Sequence, residues 1–227
     1  MKIEKFDPER TFFTSDPHYN HQSIVLGSTA WVTPPYPYDR WPSAAERLSY
    51  ALSNGLRDFA TTELMNETLV AGINNTVGQE DTLFCLGDWS FGGKDNVEGF
   101  RKRIICENVH LILGNHDHHI ADISKNLQCL FSSVTNYREI LIGKYPIVLS
   151  HYSQRVWNRS HHGALHLYGH SHSNLEKLPH GKSMDVGVDN AYKLLGEYRP
   201  FSFKEVLSML NSREIVFLDH HTRDTRQ

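Results

Sequence analysis

Five apolar, β-favouring runs of this chain end directly in a polar residue that can bind a metal. The loops at the carboxyl ends of strands converge in sheet-containing folds, so these residues are expected to gather at one edge of a sheet. Two of the runs end in a pair of such residues at positions i and i+2, whose side chains point to the same side of an extended segment. The residues at the five strand ends are Asp16 and His18, Asp88, Asn115 and His116, His151, and His170 and His172.

Alternating strand and helix signals predict an α/β fold. Helix starts are marked by capping-box patterns at Ser43–Glu46 and Ser202–Glu205, with a further helix expected over residues 62–76. The first of these helices is predicted to run to about residue 54 and the last towards Leu210. Strands are predicted over residues 10–15, 81–86, 108–113, 165–168 and 184–188, and a hairpin with a two-residue turn over 139–150.

The length of 227 residues and a hydrophobic fraction of 39% fit one α/β core. We predict a single domain over residues 1–227, with its core at about 10–212 and a lid insertion at 29–56. Four prolines between residues 34 and 42 exclude a regular helix or a central strand there. Residues 31–42 therefore form either a lid over an aromatic leaving group or a stiff loop packed on its own aromatic side chains.

The net charge, the apolar runs and the cysteine content limit which functional classes and which cell compartments fit the sequence. A net charge of -3 argues against a surface built for duplex nucleic acid, which needs a concentrated basic patch. No apolar run reaches membrane-spanning length, and the first seven residues lack the apolar stretch of a secretory signal. Three widely spaced cysteines do not suggest a disulfide framework, so we expect a reducing compartment, the cytoplasm.

The residue types at the strand ends indicate the class of metal. Carboxylate, imidazole and amide oxygen together suit borderline divalent ions such as Mn, Fe, Zn, Co or Ni. None of the three cysteines follows these strands, which argues against a structural thiolate zinc site.

The motifs, taken in order, resemble those of the calcineurin-like metallophosphoesterases. The similarity extends from about Phe12 to about Leu210 and is greatest to the small bacterial and phage-encoded members. It implies a four-layer α/β/β/α sandwich of two mixed sheets flanked by helices, an arrangement that the alternation of strands and helices alone does not select. The motifs are Asp16-Pro17-His18, Gly87-Asp88, Gly114-Asn115-His116-Asp117, the single His151, and Gly169-His170-Ser171-His172.

The resemblance also implies a site for two divalent ions, with manganese expected first and iron, zinc, nickel or cobalt as alternatives. Asp88 would bridge the two ions. Such a pair of ions lowers the pKa of a shared water and clamps the attacking and leaving oxygens of a phosphoryl transfer. The implied reaction is hydrolysis of a phosphate ester by metal-activated hydroxide. One ion would be held by Asp16, His18, Asp88 and His172, and the other by Asp88, Asn115, His151 and His170.

The residues implied to be catalytic are His116 and Asp117. His116 would stabilise the phosphate charge or protonate the leaving alkoxide, and Asp117 would orient His116 or its neighbours. Contacts to substrate are expected from His21, Asn20 and Arg155. His166 either contacts substrate or simply belongs to a strand. The remaining histidines are interpreted as surface groups; they are His118, His119, His161, His162, His180, His220 and His221.

The sequence leaves the substrate open. A phosphodiesterase, acting on a nucleotide-like or other small diester, is favoured because small relatives commonly act that way. A protein or small-molecule phosphomonoesterase is the first alternative, and a DNA nuclease or a non-catalytic scaffold of the same fold is less favoured. The sequence does not distinguish a monomer from a homo-oligomer.

Overall fold

Two five-stranded mixed sheets form the framework of the protein, which a computed structural model describes for residues 3–218. His220 and His221 lie outside the described residues. The first sheet has the order β1 (Glu4–Phe6), β6 (Tyr137–Ile142), β7 (Tyr145–Ser150), β8 (Leu165–Tyr168) and β9 (Ser183–Asp185). The second has the order β10 (Phe201–Ser202), β2 (Thr11–Thr14), β3 (Thr82–Cys85), β4 (Asn108–Ile112) and β5 (Ser133–Thr135). The predicted α/β class, with two mixed sheets and helices in one domain, is confirmed.

Six α-helices accompany the sheets within residues 3–218: α1 (Ala44–Ser53), α2 (Thr62–Thr76), α3 (Lys94–Arg103), α4 (His118–Ala121), α5 (Val188–Leu195) and α6 (Phe203–Asn211). The predicted starts of α1 and α6 are confirmed, since Ser43 caps α1 and Ser202 forms a full capping box with Glu205. No helix in this part of the chain has the length and apolarity that crossing a bilayer requires.

Parallel pairing brings the predicted site residues to one edge of both sheets. Strands β2, β3, β4 and β5 run parallel in the second sheet, and β7, β8 and β9 run parallel in the first. Their carboxyl ends meet, because Ser15 after β2 forms a parallel bridge with Gly187 after β9. The loops after all these strands therefore share one space.

The core beneath that edge is apolar and fills the space between the sheets. Phe13 and Phe84 of the second sheet belong to the same buried cluster as Ile140 and Leu167 of the first. On the outer face of the second sheet, a separate cluster joins β3 and β4 to the apolar sides of α2 and α3. Packing on both faces stabilises the second sheet, so the loops at its edge rest on a rigid base.

Two predicted details need correction or refinement. The strand predicted over residues 184–188 ends at Asp185, because the Asp185 carboxylate accepts the N–H of Gly187 at 2.7 Å and turns the chain into α5. In the segment 31–42, Trp41 packs against Tyr36 and Tyr50 with ring centroids 5.3 and 5.1 Å away. This part of the segment is a loop that packs on its own aromatic side chains.

Candidate metal centre

The predicted ligands form two adjacent groups at the shared edge. In each group, one ligand atom from each residue lies within 4.8 Å of the others. Aspartate and histidine are the side chains that borderline divalent ions prefer in mixed oxygen and nitrogen sites. The first group is Asp16, His18 and His172, and the second is Asp88, His151 and His170.

Asp88 lies between the two groups. Its Oδ2 atom is 3.5 Å from Nε2 of His18, in the first group, and 3.6 Å from Nε2 of His151, in the second. Its other oxygen, Oδ1, accepts the backbone N–H of His116 at 2.8 Å. A single carboxylate thus reaches both groups while its orientation is fixed by a backbone hydrogen bond.

Asn115 completes the second group. Its Oδ1 atom lies 3.0 Å from Nε2 of His151 and 3.0 Å from Nδ1 of His170. Two ligand atoms that each lie about 2.1 Å from one ion are about 3.0 Å apart at a right angle and about 3.4 Å apart in a tetrahedron. The separations around Asn115 and Asp88 therefore fit shared coordination.

Unpartnered buried atoms in the first group point to a cation. Asp16 and His18 are almost fully buried, at 0% and 3% exposure. Oδ1 of Asp16 and both ring nitrogens of His18 have no hydrogen-bond partner. A buried polar atom without a partner costs free energy, and metal coordination would remove that cost. The residues present therefore fit a divalent ion.

Five of the seven predicted ligands adopt left-handed backbone conformations. Their φ angles lie between 46° and 63°, a region that costs a non-glycine residue about 1–2 kcal/mol. Residues held in such conformations cluster at functional sites, where the surrounding structure enforces them. These residues are Asp16, His18, Asp88, His170 and His172.

Two of the motif glycines allow the loops to approach one another. A Cβ atom on Gly114 would lie 2.2 Å from Oδ1 of Asp88, and one on Gly169 would lie 2.0 Å from Oγ of Ser15. Any larger residue would push the ligand loops apart. The glycines in the Gly114-Asn115 and Gly169-His170 motifs are thus required by close contact.

A buried ion pair supports the first group. Nδ1 of His172 is 2.6 Å from Oδ2 of Asp189, so Nε2 of the imidazole is the nitrogen left for an ion. Arg57 donates to both oxygens of Asp189 at 2.9 Å and to the carbonyl oxygens of Asp16 and Pro17 at 2.7 Å. One guanidinium therefore links the Asp16–His18 loop to the partner of His172.

Backbone groups support the second group. Nδ1 of His151 donates to the carbonyl oxygen of Leu86 at 2.7 Å, which leaves Nε2 as the free lone pair. Asp117, buried at 2% exposure, accepts the N–H groups of Asp88, Trp89 and Gly114, each at 2.8 Å. Asp117 thus ties together the loops after β3 and β4 and acts on the neighbours of His116.

Asp185 holds the loop that carries the last two histidines. Its carboxylate accepts the hydroxyl of Ser171 at 2.5 Å and the N–H of Ser173 at 2.9 Å. Burial, together with the nearby charge of Asp16, raises the pKa of Asp185 to about 6. The sequence did not single out Asp185 or Arg57 as part of the site.

The electrostatics of the site favour neutral imidazole at His18 and His170 and oppose it at His172. Burial lowers the pKa of His18 and of His170, which favours the neutral form that metal binding requires. Burial also lowers the pKa of His172, but the hydrogen bond and charge of Asp189 outweigh it and raise the value overall. Burial raises the pKa of Asp16, yet His18 and the other imidazoles bring it down to about 2.

The predicted catalytic residue His116 and the residues predicted to contact substrate lie in different parts of the structure. The ring of His116 is half-buried, 4.8 Å from Phe91, and the ring of His21 stacks on Phe91 at 3.9 Å. The backbone N–H of Asn20 donates to Asn66 Oδ1 at 2.9 Å. Arg155 is exposed in a separate groove that none of the seven ligands lines; the other lining residues are Ser153, Gln154, Leu175, His180, Val216 and Leu218.

His166 is fully buried and has a structural role. Nε2 of its ring accepts the backbone N–H of Gln154 at 3.0 Å, and Nδ1 donates to the carbonyl oxygen of Val148 at 3.2 Å. The imidazole therefore fastens the loop that follows His151 onto the first sheet.

Comparisons with known proteins found sequence relatives of low identity. No family model matches the sequence. The chain is 25% identical over 214 residues to an uncharacterized protein of Methanocaldococcus jannaschii, covering 91% of this chain and 94% of that protein. It is 26% identical over 156 residues to the gene 66 protein of Mycobacterium phage L5, covering 54% of this chain and 72% of that protein.

One solved structure shares the fold. A protein of unknown function from Aquifex aeolicus superposes with a TM-score of 0.58 at 17% sequence identity, covering 91% of this chain and all of that chain. A likeness at this identity shows a common fold and nothing about activity.

Proposed function

We propose that this protein is a dinuclear metal-dependent phosphoesterase that hydrolyses phosphodiesters. The observation that supports it most strongly is the position of Asp88 Oδ2, which lies within 3.6 Å of a histidine nitrogen from each ligand group. A carboxylate shared by two groups is what a pair of bridged ions requires.

The ligand assignment follows the two groups. Asp16, His18, Asp88 and His172 would hold one ion, and Asp88, Asn115, His151 and His170 the other; manganese is our first choice of metal. When bound, such ions neutralise phosphate charge and lower the pKa of a shared water.

The protein's own groups would position and protonate the substrate. The backbone N–H of His116 donates to Asp88, and the His116 ring lies 5.6 Å from the ring of His18 in the first group. From there, His116 would stabilise the phosphate oxygens or protonate the departing alkoxide. Asp117 and the Arg57–Asp189 pair would keep the loops in the required positions.

We favour a diester over a monoester because the small metallophosphoesterases that the motifs resemble commonly cleave diesters, and the buried Arg57 does not oppose this choice. Its donors are committed to Asp189 and to two carbonyl oxygens, so it offers the substrate no additional positive contact. A diester carries one negative charge and a monoester close to two, so the diester needs less cationic compensation.

We also propose a cytoplasmic location, supported by three free cysteines, of which Cys129 is exposed.

The test is metal analysis combined with turnover of two model substrates, bis-p-nitrophenyl phosphate and p-nitrophenyl phosphate, with manganese added. A diesterase binds two ions per chain and prefers the first substrate. Preference for the second substrate would indicate a monoesterase. Metal binding without turnover of either substrate would indicate a scaffold and contradict the proposal.

A further inference from the structure

A continuous run of aromatic side chains extends from the candidate metal centre to the surface. Phe91 stacks on His21, with centroids 3.9 Å apart and planes 20° apart. Trp31 meets the ring of His21 at 5.3 Å with an interplanar angle of 78°. Phe91 and His21 therefore form a stack of two rings, and Trp31 stands nearly perpendicular to His21. We name these three residues the aromatic shelf.

The shelf begins at the proposed reacting centre. The ring of Phe91 lies 4.8 Å from His116 and 5.4 Å from the predicted ligand His18. His21 lies 5.3 Å from His18 and 6.5 Å from His116. A group leaving from a phosphate held beside His116 would therefore depart next to the shelf.

Trp31 differs from the other aromatic residues of its segment. Trp41 is packed between Tyr36 and Tyr50, whereas Trp31 is 59% exposed and its one described ring contact is with His21. An exposed indole offers a large, flat apolar surface on which another ring can stack. Nδ1 of His21 is buried without a hydrogen-bond partner, and the ring is held among aromatic neighbours, with Phe91 nearest at 3.9 Å.

We propose that the aromatic shelf binds a planar ring, an aryl group or a nucleobase, in the leaving group of the phosphodiester, and that Trp31 determines this specificity. The inference rests on the proposed function and adds the substrate class to it. Stacking platforms accept rings of different types because every aromatic ring presents a π-face. The occupant is thus defined by its planarity more than by its hydrogen-bonding groups.

The first experiment compares a dinucleoside monophosphate with glycerophosphoethanolamine, two diesters that both lose an alkoxide. The wild-type enzyme should prefer the dinucleoside in kcat/KM, and Trp31→Ala should lower that preference about tenfold. Trp31→Phe, which keeps a ring, should restore most of it. Tyr36→Ala removes an aromatic side chain of the same segment that is 45% exposed and should leave the preference unchanged. An equal loss for both substrates in Trp31→Ala, or no preference in the wild type, would overturn the inference.

The second experiment measures binding without turnover, in metal-free protein. Adenosine monophosphate should quench the tryptophan fluorescence of the wild type and of Trp41→Phe, but not of Trp31→Phe. Equal quenching in Trp31→Phe, or none in the wild type, would contradict the shelf. If quenching depends on Trp31 and no phosphate ester is hydrolysed with metals added, the shelf stands and the proposed function fails.

Discussion

The two ligand groups of the candidate metal centre are built from similar residues but are supported in different ways. In the first group, Asp16 and His18 are deeply buried and His172 is partly exposed. A charged network supports this group, in which Arg57 and Asp189 fix His172 and the Asp16 loop. In the second group, Asn115 and His170 are exposed, and the supports are a main-chain carbonyl and the backbone contacts of Asp117.

This difference predicts unequal affinity for the two ions. Burial and ionic support preorganise the first group, whereas solvent reaches the second group directly. A chelator should therefore remove the ion of the second group first. The two groups still depend on one another, because Asp88 belongs to both.

The largest effect is expected from Asp88→Asn, which removes the shared charge. Metal content should fall from two ions per chain to one or none, and turnover should fall by about 1,000-fold or more, because several kcal/mol of charge stabilisation are lost. Elemental analysis and steady-state kinetics measure both. Asp58→Asn, which alters a partly buried ion pair with Arg47, serves as control. Two retained ions in Asp88→Asn would mean that the groups do not share a ligand.

His116→Ala should separate catalysis from metal binding. His116 contacts Asp88 only through its backbone N–H, so the variant should keep both ions. Loss of a general acid should lower kcat by about 100- to 10,000-fold. His162→Ala, a change of an exposed histidine, is the matched control. An unchanged kcat would remove His116 from the mechanism.

The stability of the protein should depend on pH through His166, which holds the loop that follows His151. Burial lowers the pKa of His166 to about 4, below the value of 6.5 expected in the unfolded chain. The unfolded state therefore binds the proton first, and the protein should lose up to about 3 kcal/mol of stability as the pH falls from about 6.5 to about 4.

His166→Gln keeps a side-chain amide near Gln154 and Val148 but cannot be protonated in this range. Its unfolding free energy, measured by urea denaturation at pH 7 and pH 4.5, should change less with pH than that of the wild type. The same pH dependence in both proteins would exclude His166 as its source.

The smallest effect concerns the support of the first group. Asp189→Asn leaves Arg57 without its carboxylate partner and should weaken the affinity of the first ion by about 10- to 100-fold. The affinity of the second ion should change less, because the two groups are coupled only through Asp88. Competition with a chelator at increasing metal concentration resolves the two steps. Equal weakening of both ions would show that the two supports are not independent.

The sequence pattern was sufficient to predict the ligand groups because each ligand follows an apolar strand. Parallel pairing then brings Asp16, Asp88 and Asn115 to one edge, as the strand-end pattern predicts. The support of the first group was not predictable in the same way. Arg57 and Asp189 are 132 residues apart, and neither lies in a motif that assigns it a partner.

Other features were missed because their signals are short or local. Strands β1 and β5 have three residues each, too few for an alternating pattern to be recognised. Helix α5 was not predicted, and its first residue, Val188, was assigned to the end of a strand because Val186 and Val188 favour β-structure. The turn made by the Asp185 side chain decides the outcome, and that contact is not visible in the sequence.

The left-handed conformations of the ligands have a consequence for how this protein would respond to selection. Glycine at Asp16, His18 or His172 would relax the main chain, and asparagine at His18 or His172 would do so to a smaller extent. A library screened only for heat resistance should therefore accumulate those two residues and discard the ligands. A screen for thermal stability would therefore have to measure turnover in the same round, because it would otherwise enrich stable but inactive variants.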